Sequence, residues 1–472
     1  LLTEPLSAST SDDLVVDSGN GGASEVYLIA RYEYAPSFFD TGELSTGGRA
    51  HYWINDNIKL GVTASQSGGS VDSNSLSATD VTLRKSVATW VKLEQSTSTG
   101  QTSAAYVAND GGYNFGQVDQ LSGNNITAGA NRIDASVKFD ELIDGVKGKA
   151  TVYLQELEAG YSAPGLQAVT DTKQSGISVE YPVMDNLKLK LKQDSKNQKE
   201  GLELSALELD AEYGISDSWT LSAGLRNDKR SDKSAVIPIT QKQGVRTDLA
   251  LNAKYDSKEN WSIYSFIQST VKTTGNREEN GRTGVGTEYR VTDKLKLNAE
   301  LSTGTQGEAA KLGTDYLISD RSNIYLNYTL ENERTDNGLR SQKGNFSSGF
   351  KTKYSDSASM YIEEHYSHGD TPTGLTHSMG VDLAPSDKLN VGLTLDAGRL
   401  QDNKTGQVID REAYGLTFGY GLDSFKYAGA VEHRTDETEN TDATTSSRVT
   451  TLYKNNLKYQ LNPNWRLIAK LN

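Results

Sequence analysis

Residues 187–226 read LKLKLKQDSKNQKEGLELSALELDAEYGISDSWTLSAGLR, and their alternation decides the fold. Leu187, Leu189 and Leu191 alternate with Lys188, Lys190 and Lys192. Leu207, Leu209, Ala211 and Tyr213 alternate with Glu208, Asp210 and Glu212, and Trp219, Leu221, Ala223 and Leu225 with Thr220, Ser222 and Gly224. A period of two means extended strands with one apolar and one polar face. Pairing Leu187 with Tyr213 across neighbouring strands sets Lys188 against Glu212, Lys190 against Asp210 and Lys192 against Glu208. Opposite charges facing each other contribute roughly 0.2–1 kcal/mol per pair. A lysine at the middle of a lipid-facing surface would cost about 2–4 kcal/mol. The ladder therefore belongs on a watered inner face, where it fixes register and, as a second reading, lines a pore.

The same text runs outward from this stretch. Ile58, Leu60, Val62 and Ala64 alternate with other residues, as do Leu295, Leu297, Ala299 and Leu301 with Lys296, Asn298 and Glu300, and Leu389, Val391, Leu393 and Leu395 with Asn390, Gly392, Thr394 and Asp396. Two kinds of connection take turns. One is short and built from Asp, Asn and Ser, as in Asn55-Asp56-Asn57, Met184-Asp185-Asn186, Ser216-Asp217-Ser218, Thr292-Asp293-Lys294, Ser386-Asp387-Lys388 and Asn462-Pro463-Asn464. These side chains bond their own backbone in tight turns. The other is longer and hydrophilic: 229–243, 273–280, 334–344, 400–409 and 434–447.

Around the short turns a Tyr precedes a large apolar residue by six positions: Tyr52 and Ile58, Tyr181 and Leu187, Tyr213 and Trp219, Tyr255 and Trp261, Tyr289 and Leu295, Tyr459 and Trp465. Tyr420 and Phe425 repeat the motif one residue shorter. In a hairpin this spacing predicts both side chains on one face at one height, just above the turn. Tyr and Trp favour that height at a membrane surface, with the ring in lipid and the polar atom among headgroups.

Composition agrees. Only 35% of 472 residues are hydrophobic and mean hydropathy is −0.58, too polar for a large buried core. A wall with lipid on one side and water on the other needs apolar side chains at only half its positions. No apolar run reaches the roughly 18 residues of a transmembrane helix. The net charge of −14 argues against nucleic acid as a partner, because phosphate binding wants a basic face. Cysteine is absent.

The fold predicted is all-β: a large antiparallel transmembrane β-barrel of about 26 strands, with residues 1–23 as a linker and 24–472 as the barrel. A first strand is read at 24–34. The stretch 97–125 reads either as including two strands in 102–118 or as a loop folded into the lumen. The text stops at Asn472, one segment past Trp465, which predicts further strands beyond it and a larger complete barrel. Short turns on one side and longer loops on the other place the turns in the periplasm and the loops outside the cell.

These residues resemble the Gram-negative outer-membrane β-barrel superfamily across nearly all of 24–472. The repeated hairpin of Tyr213 to Trp219 and Tyr289 to Leu295 carries the resemblance. The chain also looks like the C-terminal barrel of very large bacterial surface proteins, which would imply an anchoring or export role. An outer-membrane site implies contact with membrane lipid and lipopolysaccharide, and a wide lumen implies a plug or partner protein inside it.

Little in the sequence suggests catalysis. His365 and His368, with His377 nearby, could bind a divalent metal only if the strand has ended, since residues three apart on a strand point to opposite faces. A solvated loop tip is the preferred reading, and no metal or cofactor is expected. No Gly-x-Ser-x-Gly elbow precedes a helix-period segment, so no enzyme is expected either. A wide channel or anchor for a large exported cargo or for surface modules is the leading functional reading. A surface adhesin with the barrel as its base, a passive porin and a soluble β-rich binding protein are its rivals.

Overall fold

The computed structural model describes residues 46–67, 73–100, 106–107, 116–117, 126–163, 166–235, 237, 242–305, 307–334, 340–369, 372–403, 405–462 and 465–471. The wall opens with β1 (Thr46–Asn55), β2 (Ile58–Ser67), β3 (Asn74–Arg84) and β4 (Trp90–Gly100). The two-residue strands β5 (Tyr106–Val107) and β6 (Gly116–Gln117) pair only with each other. The wall resumes with β7 (Thr127–Lys138) and β8 (Lys149–Leu157), and β9 (Ser162–Ala163) and β10 (Leu166–Gln167) form a second small hairpin. From there it is continuous. The strands are β11 (Thr172–Met184), β12 (Leu187–Gln198), β13 (Leu202–Gly214), β14 (Trp219–Asp232), β15 (Gly244–Asp256) and β16 (Trp261–Thr273). Then come β17 (Arg282–Thr292), β18 (Leu295–Gly304), β19 (Gly307–Ser319), β20 (Ser322–Arg334), β21 (Arg340–Ser355) and β22 (Ala358–Gly369). The last are β23 (Thr373–Ser386), β24 (Leu389–Gln401), β25 (Val408–Gly421), β26 (Phe425–Glu439), β27 (Thr445–Asn462) and β28 (Trp465–Leu471).

Each wall strand pairs antiparallel with the next, and β28 returns to β1, with Tyr52 opposite Trp465 and Thr46 opposite Leu471. The result is a closed sheet of 24 strands. The 24 wall strands agree with the roughly 26 expected; 102–118 supplies only β5 and β6, outside the wall, and the strand read at 24–34 lies outside the described residues. One expectation is corrected. Closure is complete within 46–471: both edges of β1 are taken, by β2 and β28, so no strand beyond Asn472 is needed to seal the ring. The linker 1–23 lies outside the described residues, as does most of 97–125, of which 97–100 continue β4.

The short turns are held by the residues that the sequence supplies. Asn55 Oδ1 accepts the amides of Asn57 and Ile58, each at 2.9 Å. Ser216 Oγ accepts those of Ser218 and Trp219 at 3.3 and 3.2 Å, and Thr292 Oγ1 those of Lys294 and Leu295 at 3.2 and 3.1 Å. A side-chain oxygen at the turn's start satisfies amides that the ladder leaves over. The other connections are shorter than the hydrophilic stretches predict, because strands run into them. β14 continues to Asp232, β26 to Glu439, and β27 starts at Thr445. Beyond the apolar zone the ladder's backbone bonds still form, and both faces simply meet water.

The wall is one strand thick, so its outward apolar rows pack into no second layer among the described residues. Leu209, Leu225, Leu249, Ile267 and Leu312 are 42–52% exposed, all on one face. On β16 the outward Trp261, Ile263, Ile267 and Val271 span ten residue steps, about 25 Å along the axis at 3.3 Å rise and 40° tilt. That matches the height of an outer-membrane apolar band. Inward glycines let rings lie flat on the inner wall. A Cβ on Gly286 would sit 2.1 Å from Tyr264, and one on Gly349 2.4 Å from Tyr325.

Candidate functional site: the lumenal face

The inner face begins with the ladder. Register places Lys188 opposite Glu212, Lys190 opposite Asp210 and Lys192 opposite Glu208. Nζ lies 3.3 Å from the carboxylate in the first pair and 3.2 Å in the third. The ladder leads into a denser network toward the long-loop end. Glu208 also takes Arg226 Nη1 at 3.2 Å, and Arg246 donates to Asp248 at 2.8 Å and lies 3.6 Å from Asp228. Arg277, from the connection after β16, bonds Asp228. Arg246, Asp248 and Asp228 are all buried, and Thr270 donates to Asp248 at 2.6 Å.

Sequence reasoning did not reach Arg226, Asp228, Arg246, Asp248 or Arg277. The parity of β14 does place Arg226 and Asp228 inward, after Thr220, Ser222 and Gly224. The apolar marker stops there, because the outward row turns polar at Asn227 and Lys229. Arg277 lies off any strand and has no parity to read.

A second inward feature is the connection 158–171, which carries β9 and β10. Tyr161, Ala163, Leu166 and Ala168 pack on the inward Ala128, Ala130 and Leu157, with Leu76 beside them. Tyr161 Oη bonds Ser96 Oγ at 2.8 Å, and the Ser162 amide donates to Ser98 Oγ at 2.9 Å. The hairpin is thus folded back on the inner wall and narrows the lumen there. At its base the Ala159 amide donates to Asp171 at 2.8 Å, with Lys199 3.5 Å away. The amide bond first, then the ammonium, holds the Asp171 carboxyl below its ordinary range.

The turn-side aromatics Tyr52, Tyr181, Tyr213, Trp219, Tyr255, Trp261, Tyr289, Tyr420, Phe425, Tyr459 and Trp465 share the outward face. Their heights differ from the prediction. The residue directly opposite each Tyr in its own hairpin is eight positions on, as in Tyr213 with Leu221 and Tyr289 with Leu297, and seven on in the shorter hairpin of Tyr420, which faces Tyr427. The residue six positions on lies one pleat repeat nearer the turn. It faces the Tyr of the neighbouring hairpin instead: Trp219 meets Tyr255, Trp261 meets Tyr289, and Trp465 meets Tyr52. Ring centroids lie 5.1 Å apart in Trp219–Tyr255 and 4.8 Å in Tyr52–Trp465. The length of the turn sets the eight-residue spacing within a hairpin, and the pairing of Trp219 with Tyr255 links successive hairpins into one row.

The histidines are not at a loop tip. β22 runs to Gly369, so His365 and His368 both sit on it and face opposite sides. His368 stacks with Tyr328 and Tyr366, each 5.9 Å away, and His377 on β23 pairs with Glu364 on the outer face. Among the described residues no group of three potential ligands gathers to hold a metal.

No protein-family model and no curated protein matches the sequence. Solved structures do. A ferric enterobactin receptor mutant from Pseudomonas aeruginosa aligns over 91% of this chain and 80% of its own, at 9% identity and a TM-score of 0.52. The same receptor bound to enterobactin aligns over 91% and 81%, at 9% identity and 0.52. What is shared is the fold, a large closed antiparallel β-barrel. At such identity the likeness carries architecture and no binding residue. A copper transporter aligns over 93% and 83%, at 11% identity with a TM-score of 0.47.

Proposed function

We propose that this chain forms a wide channel across a bacterial outer membrane, for passage of a large cargo or for anchoring modules displayed at the surface. The carrying observation is the closed ring of 24 strands with charged side chains on its inner face. At about 4.8 Å per strand and 40° tilt, strand axes lie about 48 Å apart across the ring. Side chains fill the interior of an eight-stranded barrel but not one of this size. A transmembrane wall of that width therefore calls for something that passes through it or sits inside it. The solved structures of similar fold include receptors for ferric enterobactin, which supports a transport reading rather than a purely structural one.

The outer face supports the membrane setting. The turn-side aromatic row is matched toward the long-loop end by Tyr414 and Tyr453, both half-exposed, and by the Tyr328–His368–Tyr366 stack. Two such rows bracket the apolar band, with lipid between them and lipopolysaccharide above. The orientation we assign puts the short turns in the periplasm. The test is reconstitution of the purified chain into planar bilayers. A large conductance, or a co-purifying plug whose removal produces one, is expected; a sealed membrane with an empty lumen refutes the channel.

A further inference from the structure

We propose that the inner wall carries a binding site for neutral oligosaccharides, set in β17–β22 toward the short-turn end of the barrel. The site is a cavity of about 830 Å³, with Thr292, Asp293 and Lys294 of one short turn at its rim. That size lies within the range of small-molecule sites, about 300–1,000 Å³. Two inward glycines shape it. Gly313 sits between Asn298 and Asn327 of the neighbouring strands, and a Cβ there would lie 2.2 Å from Asn298 Oδ1 and 2.8 Å from Asn327 Oδ1. The two amides thus lean together over the glycine, and neither side chain has a hydrogen-bond partner among the described residues. One pleat repeat nearer the turn, Tyr325 lies flat on Gly349. Its hydroxyl donates to Glu363, which fixes the ring with one face on the wall and the other toward the lumen.

The ligand's chemistry follows from the site's. Four cations and three carboxylates line the cavity, and Lys296 is held by a fourth carboxylate, Glu288, at 2.7 Å. Lys351 Nζ stands 5.0 Å from the Tyr325 ring, and Asn323 donates to Asp315 at 3.2 Å. The charges cancel, so an ion of either sign finds its attraction offset and recognition falls to neutral groups. A hydroxyl both donates and accepts, and a side-chain amide meets it with one acceptor and two donors. Asn298 and Asn327, with Asp315 and Glu363 as further acceptors, suit a ligand dense in hydroxyls. An apolar ligand would strand both amides without partners. The flat Tyr325 ring adds a platform for the C–H face of a sugar ring. The proposal goes beyond the channel reading: it needs this face to meet water, and it needs no conduction.

The test is isothermal titration of the full chain, folded in a sugar-free detergent, with maltotriose, cellotriose and raffinose. At least one should bind, and glucose 6-phosphate should not. Asn298→Ala combined with Asn327→Ala should weaken binding about tenfold or more, with gel mobility showing that the barrel still folds. Tyr325→Ala should do the same, and Tyr325→Phe should restore affinity because the phenyl ring keeps the platform. Lys351→Gln should leave affinity within about twofold. Binding of none of the three sugars, tighter binding of glucose 6-phosphate, or unchanged affinity in the paired asparagine variant overturns the proposal. So does a loss confined to Lys351→Gln, which would mark an anion site. Sugar binding by a chain that never conducts in bilayers would sink the channel reading and leave the site standing; conductance without sugar binding would do the reverse.

Discussion

Leu209 and Ser222 lie on adjacent strands and face opposite sides of the wall, so the same substitution should act very differently at each. Leu209 is 46% exposed on the outer face, opposite Leu191 and Leu225. It stands four residues above Tyr213, about 10 Å along the axis, close to the middle of a band about 25 Å tall. Arginine there should cost about 2–4 kcal/mol, a loss of about 30- to 900-fold in the folding equilibrium. Ser222 faces inward opposite Glu212, where an added cation meets a carboxylate and water. Ser222→Arg should therefore change stability by no more than about 1 kcal/mol in either direction. Reversible unfolding by denaturant in vesicles, with gel mobility reporting the folded barrel, separates the two. Equal costs, or a larger one at Ser222, would refute the assignment of faces on which the membrane reading stands.

Three further outcomes follow from the lumen. Arg246→Met leaves Asp228 and Asp248 buried without their shared cation and should cost about 3–5 kcal/mol, read as a lowered unfolding midpoint. A double-mutant cycle on Lys188 and Glu212, whose partners are half-exposed, should give a coupling of roughly 0.2–1 kcal/mol, and Lys188→Leu alone should leave the fold intact. The Asp171 carboxyl, depressed by the Ala159 amide and Lys199, stabilises the hairpin base above its unfolded titration range. That support is lost as pH falls through the folded value. Measured against its intrinsic rate at each pH, the protection of the Ala159 amide from hydrogen exchange should fall in acid, and Asp171→Ala should remove that pH dependence.

Much of the wall was legible because a one-layer barrel writes its two environments into alternate residues. Leu187 to Leu225 shows both faces, and the partners of Lys188, Lys190 and Lys192 follow from one register choice. Turns were legible because Asn55, Ser216 and Thr292 are chosen for side-chain oxygens that accept amides. What period two cannot see is structure off the wall. Tyr161 and Leu166 belong to a hairpin too short to show alternation, and Arg277 reaches its partner from a connection. Strand ends were misjudged for the same reason: at Asp232 and Glu439 both faces are wet, so the pattern disappears while the ladder continues. The facing of Trp219 with Tyr255 needed the register between neighbouring hairpins, which no single hairpin shows.

The seam has one more consequence. The β28–β1 joint unites residues more than 400 positions apart along the chain, and closing a loop of that length carries the largest entropic cost of any joint in the ring. Amides of Thr46–Tyr52 should therefore be the first of the wall to exchange with solvent deuterium, and the last to gain protection as the ring assembles.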